Sequence, residues 1–179
     1  NDFDLAGIPG FTGTPVAGEA LNTPGAPNEV VTPEVTTVAI HAIQGSGSAV
    51  TGAGPFAVEA IVVGDYQTQG SGQLRGFFIQ EEVADADSDP ATSEGIFVFC
   101  EGCPVAVSVG DKVRVTGSAS EFFGMSQLTA STAESITVLS SGNPLPTPAS
   151  VPLPVPGVPS GDLAAATAAI NAYFEAFEG

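Results

Sequence analysis

The sequence predicts an all-β fold built around a small closed or nearly closed barrel of about five to six strands. Between residues 35 and 142, β-branched and aromatic residues form short runs bounded by Gly, Ser, Asn and Asp, which is the pattern of strands joined by turns. No alternating helix pattern interrupts these runs, which argues against a parallel α/β fold. The chain also has 22 glycines, and glycine permits the bends and bulges through which a small barrel closes.

Six runs in this region are predicted strands. They cover residues 36–43, 56–66, 73–81, 95–100, 112–123 and 136–139. The fifth run shows the alternation of a half-buried strand most clearly, because Val113 and Val115 lie on one face and Lys112 and Arg114 on the other.

Composition separates three further segments from the barrel. Residues 1–34 are rich in Gly, Pro, Ala and Thr and have little periodicity, so we expect an extended N-terminal arm. Residues 143–160 contain seven prolines, and proline cannot continue a helix or a central strand, so this segment is predicted to be an extended linker. Residues 161–179 are predicted to form a short C-terminal helix.

Two features predict the C-terminal helix: a residue that can cap its first turn and a series of apolar side chains at helical spacing. Ser160 or Asp162 can cap the first turn of a helix, and an Ala-rich segment follows. Apolar side chains recur at helical spacing, which predicts one apolar face. They are Leu163, Ala166, Ile170, Tyr173, Phe174 and Phe177.

The charge of the chain limits its partners. Twenty acidic residues stand against three basic ones, for a formal net charge of -17. A protein that binds nucleic acid neutralises phosphates with clustered Lys and Arg, and no such cluster is present, so direct nucleic-acid binding is disfavoured.

No apolar run reaches the roughly 18–20 residues that span a bilayer, so no membrane insertion is expected. The scarcity of Lys and Arg beside abundant Thr, Ser, Gly and Ala favours an extracellular location, secreted or at the cell surface.

An acidic segment between two predicted strands is a candidate calcium site. Asp85, Asp87 and Asp89 alternate along it and Glu94 follows. Ca²⁺ takes six to eight oxygen ligands, and a loop can turn such carboxylates toward one centre. The segment is not an EF-hand, because Pro90 replaces the turn glycine of that motif. A solvated acidic turn is the alternative interpretation.

Cys100 and Cys103 allow three interpretations. A structural zinc site needs four ligands, and the sequence has no second cysteine pair. A thioredoxin-like redox pair belongs in a βαβ context, whereas these flanks are strand-like. A small disulfide that closes the Glu-Gly turn is the preferred prediction, for an oxidising compartment.

The sequence offers no catalytic constellation. His41 is the only histidine and lies among apolar neighbours in the first predicted strand, so we expect a structural role for it. The Gly-Ser turns at 45–48 and 70–72 lack the lysine of a phosphate-binding loop. The chain is therefore predicted not to be an enzyme.

Several motifs in fixed order resemble one domain of large secreted bacterial nucleases. They are Gln44-Gly45-Ser46-Gly47, Gly76-Phe77-Phe78-Ile79-Gln80, the run from Asp87 to Val98, and Val109-Gly110-Asp111-Lys112-Val113-Arg114-Val115-Thr116-Gly117. Glu121-Phe122-Phe123-Gly124 followed by Gln127-Leu128 also resembles the next strand pair of that domain. In that family an OB-fold domain precedes a catalytic domain of the endonuclease/exonuclease/phosphatase type. The resemblance covers roughly residues 36–142 and implies an OB-type barrel in a secreted protein. The catalytic domain has no counterpart in this sequence, so no nuclease residue is carried over.

These observations predict a non-catalytic, secreted OB-fold module with a structural or self-assembly role, as the subunit of an extracellular filament or surface, with calcium as the candidate stabilising cation. Arms of this composition can add a strand to a neighbouring copy or wrap around it, and head-to-tail contacts produce a filament when the rotation does not close. We therefore expect a homo-oligomer or polymer formed through the terminal arms. The alternative is an accessory domain that positions the substrate of a secreted nuclease.

Overall fold

A computed structural model of the chain describes two compact units, Asn1–Val35 and Thr36–Gly179. The described residues are 20–21, 29–30, 34–87 and 89–177. In the first unit, strands β1 (Ala20–Leu21) and β2 (Glu29–Val30) pair antiparallel. The rest of the predicted N-terminal arm up to residue 33 lies outside the described residues.

The second unit contains an OB-type barrel, as predicted. Its strands are β3 (Phe56–Tyr66), β4 (Gly76–Gln80), β5 (Gly95–Phe99), β6 (Lys112–Phe122), β7 (Met125–Thr129) and β8 (Ile136–Ser140). The first five follow the order β3-β4-β5-β7-β6, and β6 pairs back onto β3 to close the barrel. The pairing of β5 with β7 is parallel and the other pairings are antiparallel. Strand β8 adds to β6 as one extra strand.

Strand β3 closes the barrel because it is long enough to serve two neighbours. Its residues 56–61 pair with β6 and its residues 61–66 pair with β4. The register with β4 shifts between Val62 and Gly64, and such an irregularity bends a strand and increases its twist. A single strand can therefore turn the corner that a small barrel requires.

The interior is filled by the alternate apolar residues that the sequence pattern predicts. Fully buried examples are Val58, Ala60 and Val62 on β3, and Val113 and Val115 on β6. In the β3–β6 ladder, Val58 pairs with Val115 and Ala60 pairs with Val113. Burying each of the valines stabilises the fold by about 1.5–3 kcal/mol relative to its exposure.

The prediction of a strand over residues 36–43 was wrong for its second half. Helix α1 (Ile40–Gln44) occupies that position, and only an isolated bridge from Thr37 to Ala57 is strand-like. Ile40 and Ile43 are both fully buried. Residues three apart share one face of a helix, whereas in a strand they would point to opposite faces. The helix is thus the conformation that places both isoleucines in the core.

A second difference concerns β7, which lies outside the six predicted runs, although the resemblance to the nuclease domain implies a strand pair at residues 121–124 and 127–128. The run predicted over residues 112–123 ends at Phe122, and a two-residue turn at Phe123 and Gly124 leads into β7. Both turn residues have positive φ, 54° and 81°. That geometry is the one of a tight hairpin that matches the twist of its strands.

The C-terminal segments follow the predicted order. Residues 143–160 contain no helix or strand, and α2 (Leu163–Glu175) begins after Asp162. The carboxylate of Asp162 accepts hydrogen bonds from the N–H groups of Ala164 and Ala165, at 3.0 and 3.1 Å, and so caps the helix. No residue of α2 is buried, so its apolar stripe adds nothing to the buried core.

The barrel should be intolerant of any side chain at Gly76. A Cβ there would lie 2.1 Å from the carbonyl oxygen of Val98 and 2.4 Å from the ring of Phe97. Since a backbone carbonyl within a ladder cannot move aside cheaply, we expect Gly76→Ala to lower the free energy of unfolding by about 3 kcal/mol. Urea denaturation would measure this. Gly47→Ala is the control: its Cβ would meet nothing within 4 Å, so it should change stability by less than about 0.5 kcal/mol. Equal stabilities of the two variants would contradict the packing described.

Candidate functional site

A cluster of titratable side chains lies at one end of the β4–β5 hairpin. Glu81 directly follows β4 and Glu94 directly precedes β5. The N–H of Glu81 donates to the carbonyl of Glu94 at 2.9 Å, which holds the two ends of the connecting loop together. Helix α1 brings His41 to the same place, because the buried Ile40 and Ile43 fix its orientation.

One imidazole nitrogen faces three carboxylates in this cluster. The Nδ1 atom of His41 lies 3.1 Å from Oε2 of Glu94, 3.3 Å from Oε2 of Glu81 and 3.9 Å from Oδ2 of Asp87. His41, Glu81 and Glu94 offer three ligand atoms within 4.8 Å of one another, which is a separation that one metal ion can bridge.

Glu81 is the most unusual member of the cluster. Only 4% of its surface is exposed. Its Oε1 atom accepts a hydrogen bond from the N–H of Ile40. Its Oε2 atom is buried and accepts no hydrogen bond within the described part of the chain. A buried carboxylate oxygen that accepts no hydrogen bond costs free energy, so a position 3.3 Å from Nδ1 of His41 favours a proton on this carboxyl group or a cation beside it.

The pKa values reflect this arrangement. Burial, followed by a hydrogen bond with Glu94, raises the pKa of Glu81 from 4.5 to about 7, although the N–H of Ile40 acts in the opposite direction. Burial by itself would lower the pKa of His41, but the hydrogen bond with Glu94 and the negative charges around it outweigh this effect and leave that pKa above its usual value.

The four predicted calcium ligands, Asp85, Asp87, Asp89 and Glu94, do not form one compact group of carboxylates in the described part of the chain. Oδ1 of Asp87 accepts from the N–H of Asp89, and Oδ1 of Asp89 accepts from the N–H of Ala91. The bond from Asp89 is the main reason why the pKa of Asp87 lies below its usual value. The charge of Asp85 acts on Lys112. Only Glu94 of the four belongs to the compact group with His41 and Glu81.

Sequence reasoning missed His41 and Glu81 as site residues. The sequence pattern predicts a strand around His41 and the end of another strand at Glu81. The i, i+3 spacing of Ile40 and Ile43 is compatible with a short helix, but two residues do not distinguish that helix from a strand. The approach of these two residues to Glu94 is a tertiary contact, 53 and 13 positions away along the chain, and no local pattern reports it.

The predicted cysteine pair lies at the other end of β5. Cys100 and Cys103 form a disulfide across the Glu-Gly turn, and Cys100 is fully buried. The positive φ of 73° at Gly102 allows this tight turn.

A second feature, an aromatic groove, also lies at this end of the hairpin. We use this term for a depression of about 190 Å³ lined by Gln73, Leu74, Arg75, Phe97, Phe99, Phe122, Met125 and Gln127. The guanidinium of Arg75 lies 5.1 Å from the centre of the Phe99 ring, and Phe122 is 56% exposed. The lining includes one cation and no carboxylate. The other two cations of the chain are engaged elsewhere, since Lys112 pairs with Glu82 and Arg114 pairs with Glu59.

Comparisons with protein-family models, with curated proteins and with solved structures find no match for this chain. Within the described residues, no helix is long and apolar enough to cross a membrane.

The cluster predicts that the metal-free protein loses stability as pH rises. Between about pH 4.5 and 7 the folded chain keeps a proton on Glu81 that the unfolded chain releases. The contribution of His41, whose pKa is also raised, is present at low pH and is lost as pH rises through that value. We expect the free energy of unfolding, measured with chelator present, to fall by up to about 3 kcal/mol from pH 5 to pH 8.

Variants assign this dependence to the cluster. Glu81→Gln, which cannot ionise, should flatten the dependence of the unfolding free energy on pH. Glu101 is an exposed acid that follows the opposite end of β5, so Glu101→Gln should leave this dependence as in the wild type. A wild-type stability that rises between pH 5 and 7 would refute the arrangement.

Proposed function

We propose that this chain is a non-catalytic, extracellular OB-type module that binds an extended ligand in its aromatic groove, and that the ligand is single-stranded nucleic acid presented to a secreted nuclease. The aromatic groove is the observation that carries this proposal. OB folds bind oligonucleotides and oligosaccharides on the face of their second and third strands, flanked by two loops. The corresponding strands here are β4 and β5, and the groove is bounded by the segment before β4 and by the β6–β7 hairpin.

The lining favours stacking on planar rings. Phe99 and the half-exposed Phe122 offer ring faces, and Arg75 adds a guanidinium plane. Stacking of a base on an aromatic side chain contributes about 1–3 kcal/mol and tolerates any base. The amides of Gln73 and Gln127 supply hydrogen bonds at the rim.

The net charge of -17 does not decide against such a ligand, because the acidic cluster lies away from the groove. Gly76 pairs with Phe99 at the groove end of the hairpin, and Gln80 pairs with Gly95 at the cluster end. Four residue steps separate the two ends, a distance of about 13 Å. Charges are screened over about 8 Å at physiological ionic strength, so the acidic cluster has little effect at the groove, whose lining contains Arg75 and no carboxylate.

Binding of single strands should depend on Phe122 and not on Phe123. Fluorescence anisotropy with a labelled oligothymidine of about twelve nucleotides would measure it. We expect Phe122→Ala to weaken binding by about 5–100-fold through loss of one stacked base. Phe123→Asn is the matched control, because Phe123 neighbours Phe122 but lies outside the groove lining. Absence of wild-type binding, or equal losses in both variants, would contradict the proposal.

The same binding should respond weakly to salt. A ligand that meets one cation releases about one counterion, so the affinity should fall only about 2–3-fold between about 50 and 200 mM salt. A fall of a hundredfold or more would show that a basic surface, and not the groove, binds the strand.

Self-association is a second candidate function, and Phe123 favours it. This side chain is 97% exposed at the tip of the β6–β7 hairpin, and Leu74 beside the groove is 47% exposed. Phe123 also adopts a φ of 54°, which Asn and Gly adopt more readily. An exposed phenylalanine kept in an unfavourable backbone conformation is consistent with a contact made by this residue. Assembly through the N-terminal arm, as predicted from the sequence, concerns a segment of which only residues 20–21, 29–30 and 34 are described.

For this second function, light scattering at increasing concentration should give a mass above that of the monomer. Phe123→Asn should return the chain to a monomer, because Asn fits the turn and removes the apolar contact. Phe122→Ala, which leaves the tip in place, should still associate. A wild-type chain that stays monomeric over the whole concentration range would eliminate self-association.

A further inference from the structure

The cluster around His41 carries an inference that is independent of the groove. We propose that His41, Glu81 and Glu94 bind a divalent transition-metal cation, with zinc as the representative ion. Nδ1 of His41 and the Oε2 atoms of the two glutamates would be the ligand atoms.

The separations of these atoms fit a small tetrahedral ion. Zinc lies about 2.0–2.1 Å from nitrogen and oxygen ligands, so adjacent ligands of a tetrahedral site are about 3.3 Å apart. The two distances from Nδ1 are 3.1 and 3.3 Å. The three ligand atoms all lie within 4.8 Å of one another, so the two separations from Nδ1 already match those of a bound ion and the third is within reach of it.

Each carboxylate is oriented for this purpose by a backbone N–H. The N–H of Ile40 holds Oε1 of Glu81, and the N–H of Asp87 holds Oε1 of Glu94 at 2.8 Å. In both residues the remaining oxygen, Oε2, faces His41. Hydrogen bonds of this kind fix the orientation of ligands in metal sites.

The buried oxygen of Glu81 is an independent indication of a ligand. Its Oε2 atom accepts no hydrogen bond in the described part of the chain, and only 4% of the residue's surface is exposed to solvent. A cation bound at this position would supply the missing partner. A solvated acidic turn, the alternative for this segment, does not explain a carboxylate oxygen that is withdrawn from water.

The kinds of ligand atom favour zinc over calcium. One imidazole nitrogen with two carboxylates is typical of zinc and its neighbours in the first transition series, whereas Ca²⁺ requires six to eight oxygens. Glu81 and Glu94 also line a cleft of about 700 Å³. A fourth position on the ion can therefore be reached by water from the cleft, or by Oδ2 of Asp87, which lies 3.9 Å from Nδ1.

Such an ion would join three segments of the fold. His41 belongs to α1, Glu81 follows β4 and Glu94 precedes β5. Because the unfolded chain cannot hold the three ligands together, binding stabilises the folded state. The site is thus inferred to fasten α1 to the base of the hairpin.

Thermal unfolding of the chelator-treated chain with added Zn²⁺, Ca²⁺ or Mg²⁺ tests this inference. At a free concentration about a hundredfold above Kd, Zn²⁺ should raise Tm by roughly 5–10 °C, and Ca²⁺ and Mg²⁺ should have little effect. Glu81→Gln and His41→Gln should abolish the shift, whereas Asp89→Asn, whose side chain serves only the turn, should retain it. Circular dichroism would verify that each variant is folded.

A spectroscopic measurement on the wild-type chain tests the same inference without requiring that any variant folds. Co²⁺ should produce the intense visible absorption of a four-coordinate site, and zinc should displace it. A Tm shift by Ca²⁺ alone that is lost in Asp89→Asn would place the site in the acidic loop and overturn the inference. Absence of both a zinc shift and a cobalt spectrum would overturn it as well.

Discussion

The pairing of β3 with β6 is the constraint on which the rest of the structure depends. Six consecutive residue pairs, from Phe56 with Gly117 to Ile61 with Lys112, convert an open sheet into a closed barrel. Closure encloses the valines of both strands in one core and removes two sheet edges that would otherwise be unpaired. It also holds β4 and β5 side by side as a short rigid hairpin, and both candidate sites lie at the ends of that hairpin.

The hairpin keeps two different chemistries apart. At its loop end, Glu81 and Glu94 meet His41, and the surroundings favour a cation. At its other end, Phe99 and Arg75 line a groove without carboxylates. Because about four residue steps separate the ends, the strong negative charge of the chain is compatible with a groove that accepts a stacked ligand. Sequence-wide net charge would have concealed this separation.

Much of the architecture could be predicted from the sequence, because it follows from local patterns. A strand is indicated by the alternation around Val113, an extended segment by the prolines after residue 143, and the start of a helix by the capping residue Asp162. Helix α1 could not be predicted with the same rules, since five residues are too few to show helical periodicity and their apolar content suits a strand equally well. The disulfide pair could be predicted from spacing. The cluster could not, since Glu81 and Glu94 meet His41 only when the barrel brings α1 onto the end of the hairpin.

The two proposed binding sites lie at opposite ends of one hairpin. Chemical-shift mapping of the ¹⁵N-labelled chain, with zinc and then with an oligothymidine, would show whether they are separate. We expect two sets of perturbed amides that do not overlap: zinc shifts those around His41, Glu81 and Glu94, and the oligothymidine shifts those around Arg75, Phe99 and Phe122. If both ligands shift the same amides, or if neither set contains the residues named, the two ends of the hairpin do not carry separate sites.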